Sequence, residues 1–107
     1  MERDVIFSEE SGALRVILPP EIDHHTAKPI REKCDTEVFK HSPRVLVLDF
    51  GAVRFMDSSA IGLILGRAEL CADVGARIRI SGLSPMQMKI VRLSGLEKIK
   101  NLSISDV

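Results

Sequence analysis

The stretch RVLVLDFGAVRFMDSSAIGLILGR, Arg44 to Arg67, decides the fold. It opens with RVLVLDF, a continuous β-branched and leucine run of the kind a central strand buried on both faces requires. It closes with SSAIGLILGR, where apolar residues recur at helical spacing. One aspartate and two adjacent serines make the turn between them. A strand-to-helix turn that presents a hydroxyl can be a helix cap, a nucleophile elbow or a phosphorylation switch, and these belong to three different classes of protein.

Toward the N-terminus, two short apolar runs, Val5 to Phe7 and Leu14 to Leu18, flank a Ser-Glu-Glu-Ser-Gly stretch and read as a hairpin. Pro19 and Pro20 end its second strand, since neither can donate to a ladder. From Asp23 to about Lys40 the apolar residues Ala27, Ile30, Cys34 and Val38 are three or four apart with charges between them, the pattern of an amphipathic helix. Pro29 is tolerated only in a first turn, so the helix is expected to begin near His25 or Thr26.

Toward the C-terminus, the helix that starts at Ser58 should run to about Val74 and stop at Gly75. ARIRISGL then alternates as a strand. Ser84 as N-cap and Pro85 at the first helical position open a third helix, which Gly95 stops. A last short strand fits KIKNLSI. Strands alternating with helices after a hairpin describe an α/β domain with a mixed sheet.

The chain has 107 residues, enough for one domain with one core. Fifteen basic and fifteen acidic side chains cancel, so the field that drives binding to phosphate backbones is missing. With no Trp or Tyr and four Phe, platforms for stacking bases are missing too. A protein is the expected partner, with no direct nucleic acid binding. No apolar run is long enough to span a membrane, and the charged start from Met1 to Asp4 does not resemble a secretory signal, so a cytoplasmic location is expected. Cys34 and Cys71, each inside a helical apolar pattern, read as reduced core residues. Asp23, His24, His25 and the distant His41 lack metal-ligand spacing, so no metal is expected.

On a wheel of the second helix, Ala60, Ile61, Ile64, Leu65, Ala68, Cys71 and Ala72 gather on the side expected to pack on the sheet. Ser58, Gly62, Gly66, Glu69 and Asp73 gather on the solvent side, with Leu63, Leu70 and Val74 in an intermediate stripe. A glycine inside an exposed helix costs about 0.5–1 kcal/mol relative to alanine. Gly62 and Gly66 therefore signify either a close helix approach within the domain or a bare backbone patch, beside Ser58, on which another protein docks.

Asp57 and Ser58 both stand where a helix cap belongs, and one cap needs only one of them. A hydrolase elbow would need flanking glycines at two-residue spacing, where this chain has Met56 and Ala60, and a histidine brought to the serine. No glycine-rich phosphate loop supports a small-nucleotide site.

EIDHHTA, VLVLDFGAVRFMDSSAIGLILGR and LSGLEKI, in that order between Leu14 and Ile99, resemble the anti-sigma factor antagonists, single-domain members of the STAS fold, and most of all their sporulation branch. The resemblance implies a STAS-type α/β domain spanning residues 1–107, with a mixed sheet of about four to five strands and a single layer of helices packed on it. It implies a non-enzyme without cofactors, whose unphosphorylated form binds an anti-sigma factor and frees the sigma factor. That anti-sigma factor is a serine kinase, which brings the ATP and phosphorylates the first serine after the aspartate, here Ser58, to cancel binding. A phosphatase acting on phosphorylated Ser58 would restore it. Asp23 matches the family's loop aspartate and Gly62 its contact face; Asp57, Ser59 and Gly66 complete the expected partner-binding surface. Pro20, Ile22 and Ala60 depart from the family's usual glycine, leucine and glycine, and its final helix is expected to be short or absent. A stress-response antagonist with a different kinase, or a STAS module that binds a small ligand, are the alternatives.

Overall fold

The computed structural model describes residues 5–105, so the charged Met1–Asp4 start lies outside the described residues. Strands β1 (Ile6–Glu10) and β2 (Ala13–Ile17) form the expected hairpin. Ser11 and Gly12 connect them with φ of 54° and 83°, the left-handed pair that matches a two-residue turn to the twist of its strands. The short β3 (Glu21–Ile22) leads into α1 (Ala27–His41), which puts Pro29 in its first turn, where the missing N–H costs nothing. β4 (Val45–Asp49), β5 (Phe55–Met56), α2 (Ser58–Asp73), β6 (Arg77–Ser81), α3 (Pro85–Leu93) and β7 (Leu102–Ile104) follow.

The main sheet runs β1-β2-β4-β6-β7, with β1 antiparallel and the other four strands parallel. Each crossover steps the same way across the sheet, and right-handed crossovers then lay α1, α2 and α3 on one face. Register places Leu14 and Val16, Leu46 and Leu48, Ile78 and Ile80, and Leu102 on that face, where all are buried. Val47 points to the opposite face yet is buried, flanked in register by Arg15 and Arg79, whose stems can shield a neighbour while their heads stay in water.

Two expectations are corrected. KIKNLSI is not one strand: Leu96–Lys98 form a 3-10 turn that tucks Leu96 into the core, and only Leu102–Ile104 pair with β6. The second helix is also rotated from its expected setting. Leu63 and Arg67 are buried, whereas Leu65 is 42% exposed and Ala72 faces solvent.

The rotated setting carries Arg67 to α1. Arg67 Nε lies 2.8 Å from Asp35 Oδ1, and Nη2 lies 3.4 Å from Oδ2, with Arg67 only 5% exposed. Burial pulls the guanidinium's pKa down and the Asp35 charge opposes it. A wheel drawn from one helix puts an arginine outside because it cannot see the carboxylate waiting on the next. Cys34 and Cys71 are free and buried, and burial pushes their thiols up to about 12 and about 11. Thiols held that high are inert core side chains.

Candidate functional site

Two peptide segments are zipped together beside the start of α2. β3 pairs in parallel with β5 through Glu21 opposite Phe55 and Ile22 opposite Met56. Arg54 N and Phe55 N donate to Pro20 O at 2.7 and 3.1 Å, and Asp57 N donates to Ile22 O at 3.1 Å. This pairing, between strands too short to show in a hydropathy pattern, sets the Asp23 loop alongside the Asp57–Ser58 turn.

Asp57 is the helix cap. Its backbone is extended and its Oδ1 accepts from Ser59 N at 2.8 Å, while its carbonyl accepts from Ala60 N at 3.0 Å. With the cap assigned to Asp57, the hydroxyl of Ser58 is left exposed, and among the described residues it makes no hydrogen bond. Ser59 is half-buried. The neighbouring hydroxyls are thus distinguished by geometry, and Ser58 is the accessible one.

Asp23 works mostly on its own loop. Oδ1 accepts from His25 N at 2.8 Å and Thr26 N at 3.0 Å, while Thr26 Oγ1 accepts from Asp23 N at 2.9 Å and donates to Glu21 O at 3.1 Å. These backbone donors, Thr26 first and His25 second, hold the Asp23 carboxyl below the usual carboxylate range. The loop that carries Asp23 is therefore built from its side chain. His24 and His25 are exposed, their rings 4.0 Å apart.

Along α2 from Ser58, a Cβ added at Gly62 or Gly66 would meet nothing within 4 Å. The close helix approach within the domain is thereby excluded as the reason for these glycines. They leave a strip of bare backbone on the outer face of α2, between Ile61 and Leu65 on one side and Glu69 beyond. Ser58, Gly62 and Gly66 come together as expected, with Asp57 at the head of the strip and Asp23 across the β3–β5 pairing.

Several members of this surface were not foreseen. Phe55 is 53% exposed at the edge of the turn, and Leu65 adds apolar surface to the glycine strip. Gln87 is buried on α3 and supports the turn from behind: its Oε1 accepts from Ser84 N at 2.9 Å in a capping box, and its Nε2 donates to Val53 O at 3.0 Å. The signal for the first half of that role was legible as Ser-Pro-x-Gln, the spacing of a capping box. The reach to Val53 was not, because it joins residues 34 apart. Gly82 completes the support, with φ +74° and so close an approach that a Cβ would stand 2.6 Å from Gly51 N. A shallow hollow of about 340 Å³ lined by Phe7, Glu32, Lys33, Thr36 and Glu37 lies over α1 and β1, away from Ser58. No helix among the described residues is long and apolar enough to cross a membrane.

Known proteins share this fold. The STAS domain family model matches residues 5–105. An anti-sigma F factor antagonist of Paenibacillus polymyxa is 31% identical over 107 residues, covering 100% of this chain and 92% of its own length. One of Lysinibacillus sphaericus is 34% identical over 76 residues, covering 71% of this chain and 65% of its own. The anti-sigma factor antagonist SpoIIAA in its unphosphorylated form superposes with a TM-score of 0.79 at 28% identity, over 95% of this chain and 88% of that one. The Bacillus cell fate determinant SpoIIAA in its phosphorylated form gives 0.72 at 28% identity, over 95% of this chain and 91% of that one.

Proposed function

The chain belongs to the STAS domain family, among its anti-sigma factor antagonists, and from that premise we propose that it is a switch protein whose unphosphorylated form docks on an anti-sigma factor and whose docking ends when Ser58 is phosphorylated. The anti-sigma factor is the serine kinase and supplies the ATP; a phosphatase acting on phosphorylated Ser58 reverses the step. The chain itself is substrate and binding partner, and takes no catalytic part. Displaced from the anti-sigma factor, a sigma factor becomes free for transcription.

One observation carries this reading. Ser58 is an exposed hydroxyl released from capping duty by Asp57, and it shares a helix face with two glycines whose Cβ positions are open space. That a relative at 28% identity has been solved in a phosphorylated form supports the chemistry. The phosphate adds about −1.5 to −2 charges at a helix N-terminus, where the helix dipole and free N–H groups favour negative charge. Unfolding is therefore not the switch. Bulk and charge at Ser58, next to Asp57 and Asp23, block docking locally.

Calorimetric titration of the cognate anti-sigma factor with wild type, Ser58→Ala and Ser58→Glu tests the proposal. Ser58→Ala should bind close to wild type and resist modification, because most of the docking surface is untouched, while Ser58→Glu should lose at least about tenfold in affinity. Wild-type affinity in Ser58→Glu, or normal modification of Ser58→Ala, contradicts it. Amide spectra before and after phosphorylation should differ at the turn and the first turns of α2; shifts spread through the sheet would contradict a local block.

A further inference from the structure

The sheet face turned away from the helices carries charge that the fold leaves uncompensated at one end. Across its middle, in register, lie Ser8, Arg15, Val47, Arg79 and Ser103. All but Val47 are exposed and Val47 is covered, so this row is a finished polar surface and not an apolar one awaiting another helix. On β2 and β4 the charge is neutralised: Arg15 Nη1 lies 2.7 Å from Asp49 Oδ2, and Asp49 Oδ1 accepts from Gly51 N at 2.8 Å. On β6 it is not. Arg77 and Arg79 are both exposed on this face, and among the described residues neither side chain makes an ion pair or a hydrogen bond. The acid in register with Arg77, Glu10, is three strand spacings away, roughly 14 Å, beyond the reach of a screened charge. Lys100, also exposed, precedes Asn101, whose carbonyl accepts from Ile78 N at 2.9 Å, and so adds a cation at the rim beside Arg77.

We propose that the β6 end of this face docks an acidic segment of a partner protein, extended and with carboxylates at alternate residues. Arg77 and Arg79 alternate with the buried Ile78 and Ile80, which fix the strand beneath them, and their Cα atoms are roughly 6.6 Å apart, twice the rise of a strand. Alternate side chains of an extended segment repeat at that same interval, so one carboxylate falls to each guanidinium. An arginine fork suits a carboxylate, and Arg15 meets Asp49 in this way on the same face. A second copy of this chain offers Glu21 and Asp23 at the required spacing, but Asp23 is committed to its own loop through His25 N and Thr26 N, so self-association fits less well. Nucleic acid and anionic membrane fit less well too, since three cations on a chain without net charge fall short of the basic tracks and clusters that hold either. The Ser58 strip lies in the helical layer on the other side of the sheet, so both surfaces can be occupied at once, and the proposal does not rest on the phosphorylation reading.

The test titrates the full chain with a synthetic peptide about eight residues long in which glutamate and threonine alternate, and with its glutamine counterpart. Backbone amide signals of residues 77–81 and 101–104 should shift with the glutamate peptide, which should bind at least about tenfold more tightly than the glutamine peptide and be weakened by salt. Arg77→Gln combined with Arg79→Gln, both at exposed positions, should abolish the shifts while the spectrum of the fold stays intact. Lys28→Gln combined with Arg31→Gln on α1 removes as much charge elsewhere and should leave binding unchanged. Equal binding of the two peptides, no binding of the glutamate peptide, the same loss in the α1 variant, or shifts centred on α2 would overturn the proposal. So would self-association that the β6 variant relieves in sedimentation, or tighter binding to phosphatidylserine vesicles or single-stranded DNA than to the glutamate peptide.

Discussion

Replacing Gly62 and Gly66 with alanine should make the protein more stable and less able to dock. Both lie inside α2, and a methyl at either position meets nothing within 4 Å. The folded state therefore bears no steric cost, and each substitution recovers about 0.5–1 kcal/mol of lost backbone entropy. The two methyls are one turn apart and too short to interfere, so the double variant should gain about 1–2 kcal/mol. With an unfolding entropy near 2.1 cal/mol/K per residue, that is an increase in Tm of roughly 4–9 °C for a chain of this size. Thermal unfolding followed by circular dichroism measures it, and urea titration should move the midpoint without changing the slope. The same methyls stand where an incoming backbone would approach, and overpacking there costs about 1–3 kcal/mol of binding. A fall in Tm for either single variant would refute the open-space reading of α2. A stabilised double variant that binds its anti-sigma factor as well as wild type would refute the docking reading instead.

Other consequences concern what holds the site in place. Asp35→Ala strands the buried Arg67 guanidinium and should cost about 2–4 kcal/mol in chemical denaturation, less than a fully buried pair because Asp35 is one-third exposed, whereas Arg67→Met should cost less; a neutral Asp35→Ala would contradict the pairing. Gly82→Ala, which forces a left-handed backbone and drives a Cβ against Gly51 N, should cost about 2–3 kcal/mol and shift the amide signals of residues 51–58; Gly95→Ala, strained but in open space, should cost about 1–2 kcal/mol, and equal losses would show that the Gly51 contact is unimportant. The Asp23 carboxyl is lowered by backbone donors, so its contribution is fully present above the ordinary carboxylate pKa and is lost as pH falls through its own lower value; side-chain NMR should find it titrating below the usual carboxylate range, and Asp23→Asn should remove this loop's acid sensitivity.

Much of this was legible along the chain wherever structure is local. Pro29 located the start of α1, Ser84 and Pro85 opened α3, and Gly75 and Gly95 take φ of 75° and 84° where their helices stop. Asp57 against Ser58 was readable as a competition for one cap, though only coordinates show that Asp57 takes it. What stayed hidden depends on contacts between distant residues. The rotation of α2, which brings Arg67 to Asp35 on another helix, makes Leu65 part of the outer face and not of the core. The β3–β5 pairing joins two-residue strands with no periodicity to detect, yet it is what brings Asp23 to the turn. Gln87 looked like a cap alone, and its second bond supports the loop that presents Phe55 and Ser58.

The role of Ser58 can be settled by fragmentation mass spectrometry of the chain after incubation with its anti-sigma factor and ATP. Ser58 is exposed and uncommitted while Ser59 is half-buried behind the Asp57 cap, so a single phosphate on Ser58 is expected, appearing together with loss of the complex. Phosphate on Ser59 with Ser58 unmodified, or a fully phosphorylated chain that remains bound, would contradict it.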